Sequence, residues 1–314
     1  MAIYSQARRA ILPFVLAGAA AAQIDLSPQR DPTVIRVNVN LVNLLCAVRD
    51  KTGAYVNDLS KNDFAVLDNG RRQTITYFAR QAESPLTVAV MLDVSPSVVN
   101  ILGVEKAAAG QFFANVLRPG DQALLVGFAQ YVLVWQDLTS SRSRLQEALD
   151  RAGPMAPLAE GPVARGGTLL RDAVNLVATQ KLAKLPGRKT AILITDGEDL
   201  GSRVSPGETI RAAHEADAVI YGVYYVDRKR AHGTGLDALQ AMSAATGGRA
   251  FEVGGKMTLQ KVFAAIEEEM RNQYAIGYAL PEGSRNGDFH KLEVKPLKPG
   301  LTVQARNGYY AMLK

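Results

Sequence analysis

Leu86-Thr87-Val88-Ala89-Val90-Met91-Leu92-Asp93-Val94-Ser95-Pro96-Ser97 is the stretch whose reading decides the fold. Its first seven residues form an almost continuous apolar run, and the next five turn abruptly to oxygen-bearing side chains. A strand with one face in water alternates apolar and polar residues, whereas a strand covered on both faces does not. The run is therefore a fully buried strand, and a carboxylate and two hydroxyls stand at its carboxyl end. Downstream the pattern repeats. Strands are expected at 86–92, 122–128, 131–135, 190–195, 218–226 and 249–253, and helices between them at 98–117, 143–151, 168–184, 206–216, 236–245 and 259–271. This alternation predicts an α/β fold with a mostly parallel, doubly wound sheet and right-handed crossovers. The junction Phe128-Ala129-Gln130-Tyr131 is too short for a parallel crossover, so one antiparallel edge strand is expected there.

On both sides of this unit the texture changes. Residues 34–78 alternate in strand fashion, with turn signals at Lys51-Thr52-Gly53 and Asp68-Asn69-Gly70, and 64–67 and 73–77 flank the second turn as paired strands would. After Asn272, strands are expected at 274–280, 290–296 and 301–305. The matching textures suggest that an N-terminal β segment (34–80) and a C-terminal one (273–314) pair into a small β-sandwich that brackets the α/β domain (84–272). Residues 1–22 differ from everything else: Arg8 and Arg9 precede an apolar stretch, and Ala20-Ala21-Ala22 offers small residues for cleavage, the pattern of a secretory signal. The expected location is then secreted, periplasmic or in the cell envelope, with no membrane span after cleavage.

Composition narrows the function classes. A chain of 314 residues with 47% hydrophobic and 21% charged residues is globular. Without residues 1–22, which hold two Arg and no acid, the formal charge falls from +6 to +4, and the densest basic run is only Arg228-Lys229-Arg230. No basic stripe with interleaved aromatics favours nucleic acid. The single Cys46 has no partner for an intramolecular disulfide and sits in an apolar run, where a buried, inert thiol is expected. Enzyme readings lack their motifs. The three histidines, His214, His232 and His290, stand in no triad context, no nucleophile elbow is present, and Gly166-Gly167-Thr168 lacks the lysine of a phosphate-binding loop. The chain is expected not to be an enzyme.

In a doubly wound sheet, ligands sit beyond the carboxyl ends of the strands. Asp93, Ser95 and Ser97 belong there, as do Gly167-Thr168 at the start of a helix and Thr195-Asp196-Gly197 at the end of a buried strand. All of these side chains supply oxygen. Mg²⁺ takes about six oxygens at roughly 2.0–2.1 Å and parts with its waters reluctantly, so two loop hydroxyls, a threonine and two carboxylates suit it with a position to spare. Each residue also has a plainer role. Ser95 and Ser97 suit a helix cap, Asp196 suits a turn before Gly197, and Glu198 and Asp199 read as solvated surface acids. Trp135, Tyr131, Tyr221, Tyr224 and Tyr225 read as sheet packing.

Asp93-Val94-Ser95-Pro96-Ser97 resembles the DxSxS signature of von Willebrand factor A domains and integrin inserted domains, and Thr168 and Asp196 match the residues that complete that family's metal-ion-dependent adhesion site, or MIDAS. The resemblance covers about residues 84–272, and the order strand, DxSxS, helix, GGT, strand, TDG is more specific than any one motif. The family commonly has Gly where this chain has Pro96, which stiffens the loop without touching the three side chains. The resemblance implies that Ser95, Ser97 and Thr168 bind Mg²⁺, or Mn²⁺ or Ca²⁺, directly, with Asp93 and Asp196 acting directly or through water. It further implies that the open position takes an Asp or Glu carboxylate from a partner protein. The alternative is a scaffold of an envelope assembly whose metal serves only folding. The β flanks and leader also resemble the bacterial VWFA-related proteins known largely from Acidobacteria.

Overall fold

The strand Leu86–Asp93 is buried along its whole length in the computed structural model of the protein, because apolar helix faces cover it from both sides. The structure describes residues 41–80, 84–97, 99–155, 167–225 and 234–312. The expected leader at 1–22, residues 34–40 of the N-terminal β segment and the basic run at 228–230 lie outside them. In chain order, β1 (Leu41–Arg49), β2 (Phe64–Asp68), β3 (Arg71–Gln73) and β4 (Tyr77–Arg80) precede β5 (Leu86–Asp93). Then come α1 (Leu102–Val116), β6 (Gln122–Phe128), β7 (Val132–Thr139), α2 (Arg142–Arg151), α3 (Leu170–Leu176), β8 (Arg188–Thr195), α4 (Pro206–Glu215) and β9 (Ala218–Tyr224). The chain closes with α5 (Gly235–Thr246), β10 (Ala250–Glu252), α6 (Leu259–Arg271), β11 (Gln273–Ala279), β12 (Phe289–Pro296), β13 (Thr302–Ala305) and β14 (Gly308–Tyr310).

The central sheet has the order β10-β9-β8-β5-β6-β7, parallel throughout except at the β6–β7 edge, which is antiparallel. The α/β fold read from the sequence is the one observed. Strand β5 divides its side chains by parity. Val88, Val90 and Leu92 join a core with α1, α2 and α6, while Ala89 and Met91 join a second core with α3, α4 and α5. Each fully buried aliphatic or aromatic side chain contributes about 1.5–3 kcal/mol, so the two cores dominate the stability of this unit. Phe112 stacks on Phe263 with ring centroids 4.7 Å apart and ties α1 to α6. Because the chain leaves β5 toward β6 and later returns to its other side as β8, the strand order reverses at β5, the position in such a sheet beyond whose carboxyl end ligands are bound.

Three boundaries differ from expectation for identifiable reasons. The helix expected from 98 opens as a 3-10 turn, Val99–Ile101, before α1. The helix expected from Thr168 starts at Leu170, because the backbone of Thr168 exchanges two hydrogen bonds with Leu200 instead. Its second half, Val177–Leu182, is π-helical, and the amide of Ala183 reaches back to Ala178 O at 2.9 Å. Strand β7 runs past 135 to Thr139, paired with β6 through two register shifts.

The remaining strands form two four-stranded sheets, β13-β1-β11-β4 and β14-β12-β2-β3, that share one core. Each sheet mixes strands from before and after the α/β unit: β1 pairs with β11 and β2 with β12, both antiparallel. The expected pairing of 73–77 with 64–67 is corrected. Only Arg71–Gln73 returns along β2, across a turn in which Asn69 and Gly70 take positive φ (47° and 79°). At Thr76 the amide and hydroxyl both turn to Gly277 O, and Tyr77–Arg80 joins the other sheet beside β11. The reason is packing: Phe78 sits against Phe64 and Tyr274 in the shared core, 5.5 and 5.4 Å away by ring centroids. Among the described residues no helix is long and apolar enough to cross a membrane.

Candidate metal centre

Asp93 ends β5 at 0% exposure, where Val94 donates to Phe128 O and holds the loop against the end of β6. The carboxylate is gripped at both oxygens. Its Oδ1 accepts the Ser95 amide at 2.8 Å, and its Oδ2 accepts the Thr195 hydroxyl at 2.6 Å. The first bond closes an Asx turn that sends Ser95 and Ser97 to the same side, with their Oγ atoms 2.9 Å apart. Ser95 is buried, Ser97 half-buried and Pro96 exposed, so the proline stiffens the outside of the loop without entering it. Neither serine caps α1: its N-cap is Ile101, which makes no side-chain capping bond.

Thr168, 3% exposed, is brought up from a different loop. Its amide donates to Leu200 O at 3.1 Å and its carbonyl accepts the Leu200 amide at 2.9 Å, while the next residue, Leu169, donates to Ala129 O at the end of β6. Asp196, 7% exposed, follows β8, the neighbour of β5, and accepts the Glu198 amide at 3.1 Å. The turn after it is tight enough to need glycine. Gly197 has φ +74°, and a Cβ there would meet Gly235 O at 2.3 Å, so the loop lies directly on the start of α5. Asp93, Ser95 and Ser97 are thus joined by hydrogen bonds, Asp196 is an electrostatic neighbour of Asp93, and Thr168 stands between the β6 end and the loop after β8.

The electrostatics at Asp93 are set first by burial. Burial, and after it the charge of Asp196, push the Asp93 carboxyl up to about 6 against the opposing pull of its Ser95 and Thr195 hydrogen bonds. Sequence reasoning missed two residues here. Thr195 positions Asp93, and its place at the end of the buried β8 run beside Asp196 was the available signal. Glu105 on α1 is fully buried, and burial followed by the charge of Asp93 pushes its carboxyl up to about 9. Asp199, expected as a solvated surface acid, is instead mostly buried. It accepts the Arg171 amide and pairs with the Arg171 guanidinium at 3.1 Å, fastening the loop to α3. Among the described residues no three His, Cys, Asp or Glu side chains converge on one point, so a cation here would depend on hydroxyl ligands. The two clustered serine hydroxyls, with a threonine and two carboxylates on the adjoining loops, are the all-oxygen donor types that a hard divalent ion takes.

Trp135 packs its ring over Gly127, where a Cβ would lie 2.3 Å from it, and Tyr221 is fully buried in the sheet.

The family model of the von Willebrand factor type A domain matches residues 88–198, a span that contains Asp93, Ser95, Ser97, Thr168 and Asp196. Similar solved structures include the conserved hypothetical protein BatB from Bacteroides thetaiotaomicron, 20% identical over 59% of this chain and 97% of that one, with a TM-score of 0.46. They also include proximal thread matrix protein 1 of the mussel byssus with a zinc-occupied MIDAS motif, at 18% identity, 66% and 50% coverage and a TM-score of 0.49. A von Willebrand factor type A protein from Catenulispora acidiphila is 15% identical over 81% of this chain and 76% of that one, with a TM-score of 0.46. No curated protein matches the chain.

Proposed function

We propose, for a chain that carries a von Willebrand factor type A domain over residues 88–198, that it is an exported protein-binding module which grips a carboxylate of its partner through a divalent cation. The single observation that carries this reading is the loop geometry at β5, where the Asp93 Asx turn sets the Ser95 and Ser97 hydroxyls 2.9 Å apart beside a second buried carboxylate, Asp196. Ser95, Ser97 and Thr168 would hold the ion through their hydroxyls, and Asp93 and Asp196 directly or through water. When bound, Mg²⁺, Mn²⁺ or Ca²⁺ supplies a compact positive centre for an Asp or Glu side chain of the partner. Opposite unit charges about 4 Å apart attract by about 4 kcal/mol at an effective dielectric of 20, and the burial around Asp93 favours that regime over bulk water.

The chain's own residues prepare the contact. The Thr195 hydroxyl and Ser95 amide hold Asp93 in one orientation, and the Thr168–Leu200 backbone pair fixes the rim. Leu200 is 59% exposed on that rim and offers an apolar contact beside the ion. Nothing in this arrangement activates a nucleophile, and we assign no catalysis to it. The test is capture of partners from cell-envelope extract by the full chain, with and without chelator. Capture that disappears with chelator and returns with Mg²⁺ is expected; capture indifferent to chelator removes the adhesive role and leaves the scaffold reading.

A further inference from the structure

The amino end of the central sheet faces the outer side of β1 across a cleft of about 360 Å³. The cleft is lined where β8 and β9 begin, whereas the proposed cation loop follows the end of β5, and the three strands are parallel. The two places are therefore separated by the length of the strands, about 25 Å. The alternation of β1 leaves the cleft unfilled. Val42, Leu44 and Cys46 enter the sandwich core, so Leu41, Asn43 and Leu45 point the other way and line the cleft. Opposite Asn43 and Leu45, β11 presents only Gly277 and Ala275. A Cβ on Gly277 would lie 2.9 Å from Tyr77 Cβ and 3.2 Å from Leu41 Cδ2, so these two side chains close over the glycine, yet both remain exposed. One exposed leucine is ordinary, but an apolar wall facing buried arginines is not.

Arg188, at the start of β8, is buried and sends Nε and Nη2 to Ser84 O and Nη1 to Met270 O. All three bonds go to backbone carbonyls, and no carboxylate pairs with this arginine among the described residues. Arg306, after β13, has a side chain 9% exposed, with Nη1 on Asp217 at 2.8 Å, Nη2 on Asn43 O at 2.6 Å and a buried Nε without a partner. A guanidinium carries five N–H groups, so both arginines keep unspent donors. Asp217 is the one acid lining the cleft among the described residues, and it stands half in water. His214 places Nε2 2.8 Å from Ala245 O, and burial holds its ring below the usual histidine range, so it is neutral at pH 7. Two arginines against one aspartate leave this lining with one net positive charge.

We propose that the cleft binds a small amphiphilic carboxylate, its head on the unspent guanidinium donors and its apolar body, about eight carbons long, along Leu41, Leu45 and Tyr77. A cleft of about 360 Å³ has the size of small-molecule sites, which are mostly apolar with a few placed polar groups. The planar fork of an arginine matches a carboxylate, and a single negative charge neutralises the lining.

The test titrates the full chain, in chelator so that the cation loop takes no part, with octanoate and with its uncharged counterpart octanol. Calorimetry is run on wild type, Arg306→Met and Asn43→Trp, with thermal melts to check folding. Wild type should bind octanoate saturably and one to one, and octanol about tenfold or more weakly, the factor for losing a hydrogen bond to a charged group. Arg306→Met should weaken octanoate by a similar factor and leave octanol unchanged. Asn43→Trp, which fills the cleft from β1 without removing a charge, should abolish binding of both. Absence of saturable octanoate heat from wild type, equal affinity for octanol, or wild-type octanoate affinity in both variants overturns the proposal. The octanoate and octanol comparison in wild type decides the matter even where a variant does not fold.

Discussion

Asp68 in the β-sandwich and Asp93 at the end of β5 are both almost completely removed from water, yet they are held in opposite ways. Asp68 accepts the hydroxyls of Tyr278 and Tyr309, each at 2.7 Å, and lies 2.7 Å from His290 Nδ1, so its carboxyl oxygens are met by three partners. Asp93 also accepts two hydrogen bonds, but the ionisable groups that act on it are the acids Asp196 and Glu105. One carboxylate is finished by the fold; the other is left needing positive charge. A buried acid surrounded by donors joins strands together, whereas a buried acid surrounded by acids marks a place for a cation.

The largest expected effect comes from breaking the finished one. Asp68→Ala strands two tyrosine hydroxyls and His290 in the shared core and should cost about 3–5 kcal/mol in denaturant unfolding, by the same amount with and without Mg²⁺. A cost that depended on Mg²⁺ would erase the contrast. Asp93→Asn should do the reverse in chelator. Because the folded carboxyl is raised from 3.8 to about 6, its contribution to stability is fully present below the unfolded value and is lost as the pH rises through about 6. The variant is therefore expected to be more stable than wild type above pH 6, by about 1–3 kcal/mol, and to converge with it toward pH 4. Stability measured across that range checks the sign, and a variant less stable at every pH would place Asp93 with Asp68.

Glu269 sharpens the comparison as a third case. It lies on α6 at 0% exposure and is met by Arg49 of β1, by Arg249 at 3.0 Å and by Gln304 of β13, which makes it another finished acid, one that joins the last helix to the sandwich. Both arginines are partly in water, so Glu269→Gln should cost less than the loss of Asp68, about 1–2 kcal/mol, read as a lower unfolding midpoint. The smallest effect is at Cys46, 1% exposed, whose thiol burial pushes up to about 12. Native protein should resist thiol reagents at neutral pH and react only after unfolding; rapid native labelling would show that the sandwich core opens.

The central sheet was legible because its signal is local. Continuous apolar runs at 86–92 and 190–195 have one stable environment, between two helical layers, and α6 was read at its observed bounds. The five oxygen-bearing residues are expected together for a related reason, since the carboxyl ends of parallel strands share one edge, and the structure joins Asp93, Ser95 and Ser97 there by hydrogen bonds. What the sequence concealed depends on contacts far apart in the chain. The run 73–77 reads as one partner for 64–67 because its alternation carries no mark of the crossing at Thr76, which is decided by Phe78 fitting between Phe64 and Tyr274. The helix start at Thr168 was displaced by Leu200, more than thirty residues away. Asp199 resembled a surface acid because Arg171 meets it only in the folded chain, and Glu105 resembled an ordinary charge on a helix whose buried face has no sequence label at that position.

A cation at the end of β5 requires the Asp93 carboxylate. Calorimetric titration of Mg²⁺, and in parallel Mn²⁺, into the full chain and its Asp93→Ala variant tests this directly. Saturable one-to-one binding to wild type that vanishes in a variant with unchanged circular dichroism is the predicted result. Equal heats from the two proteins would contradict it.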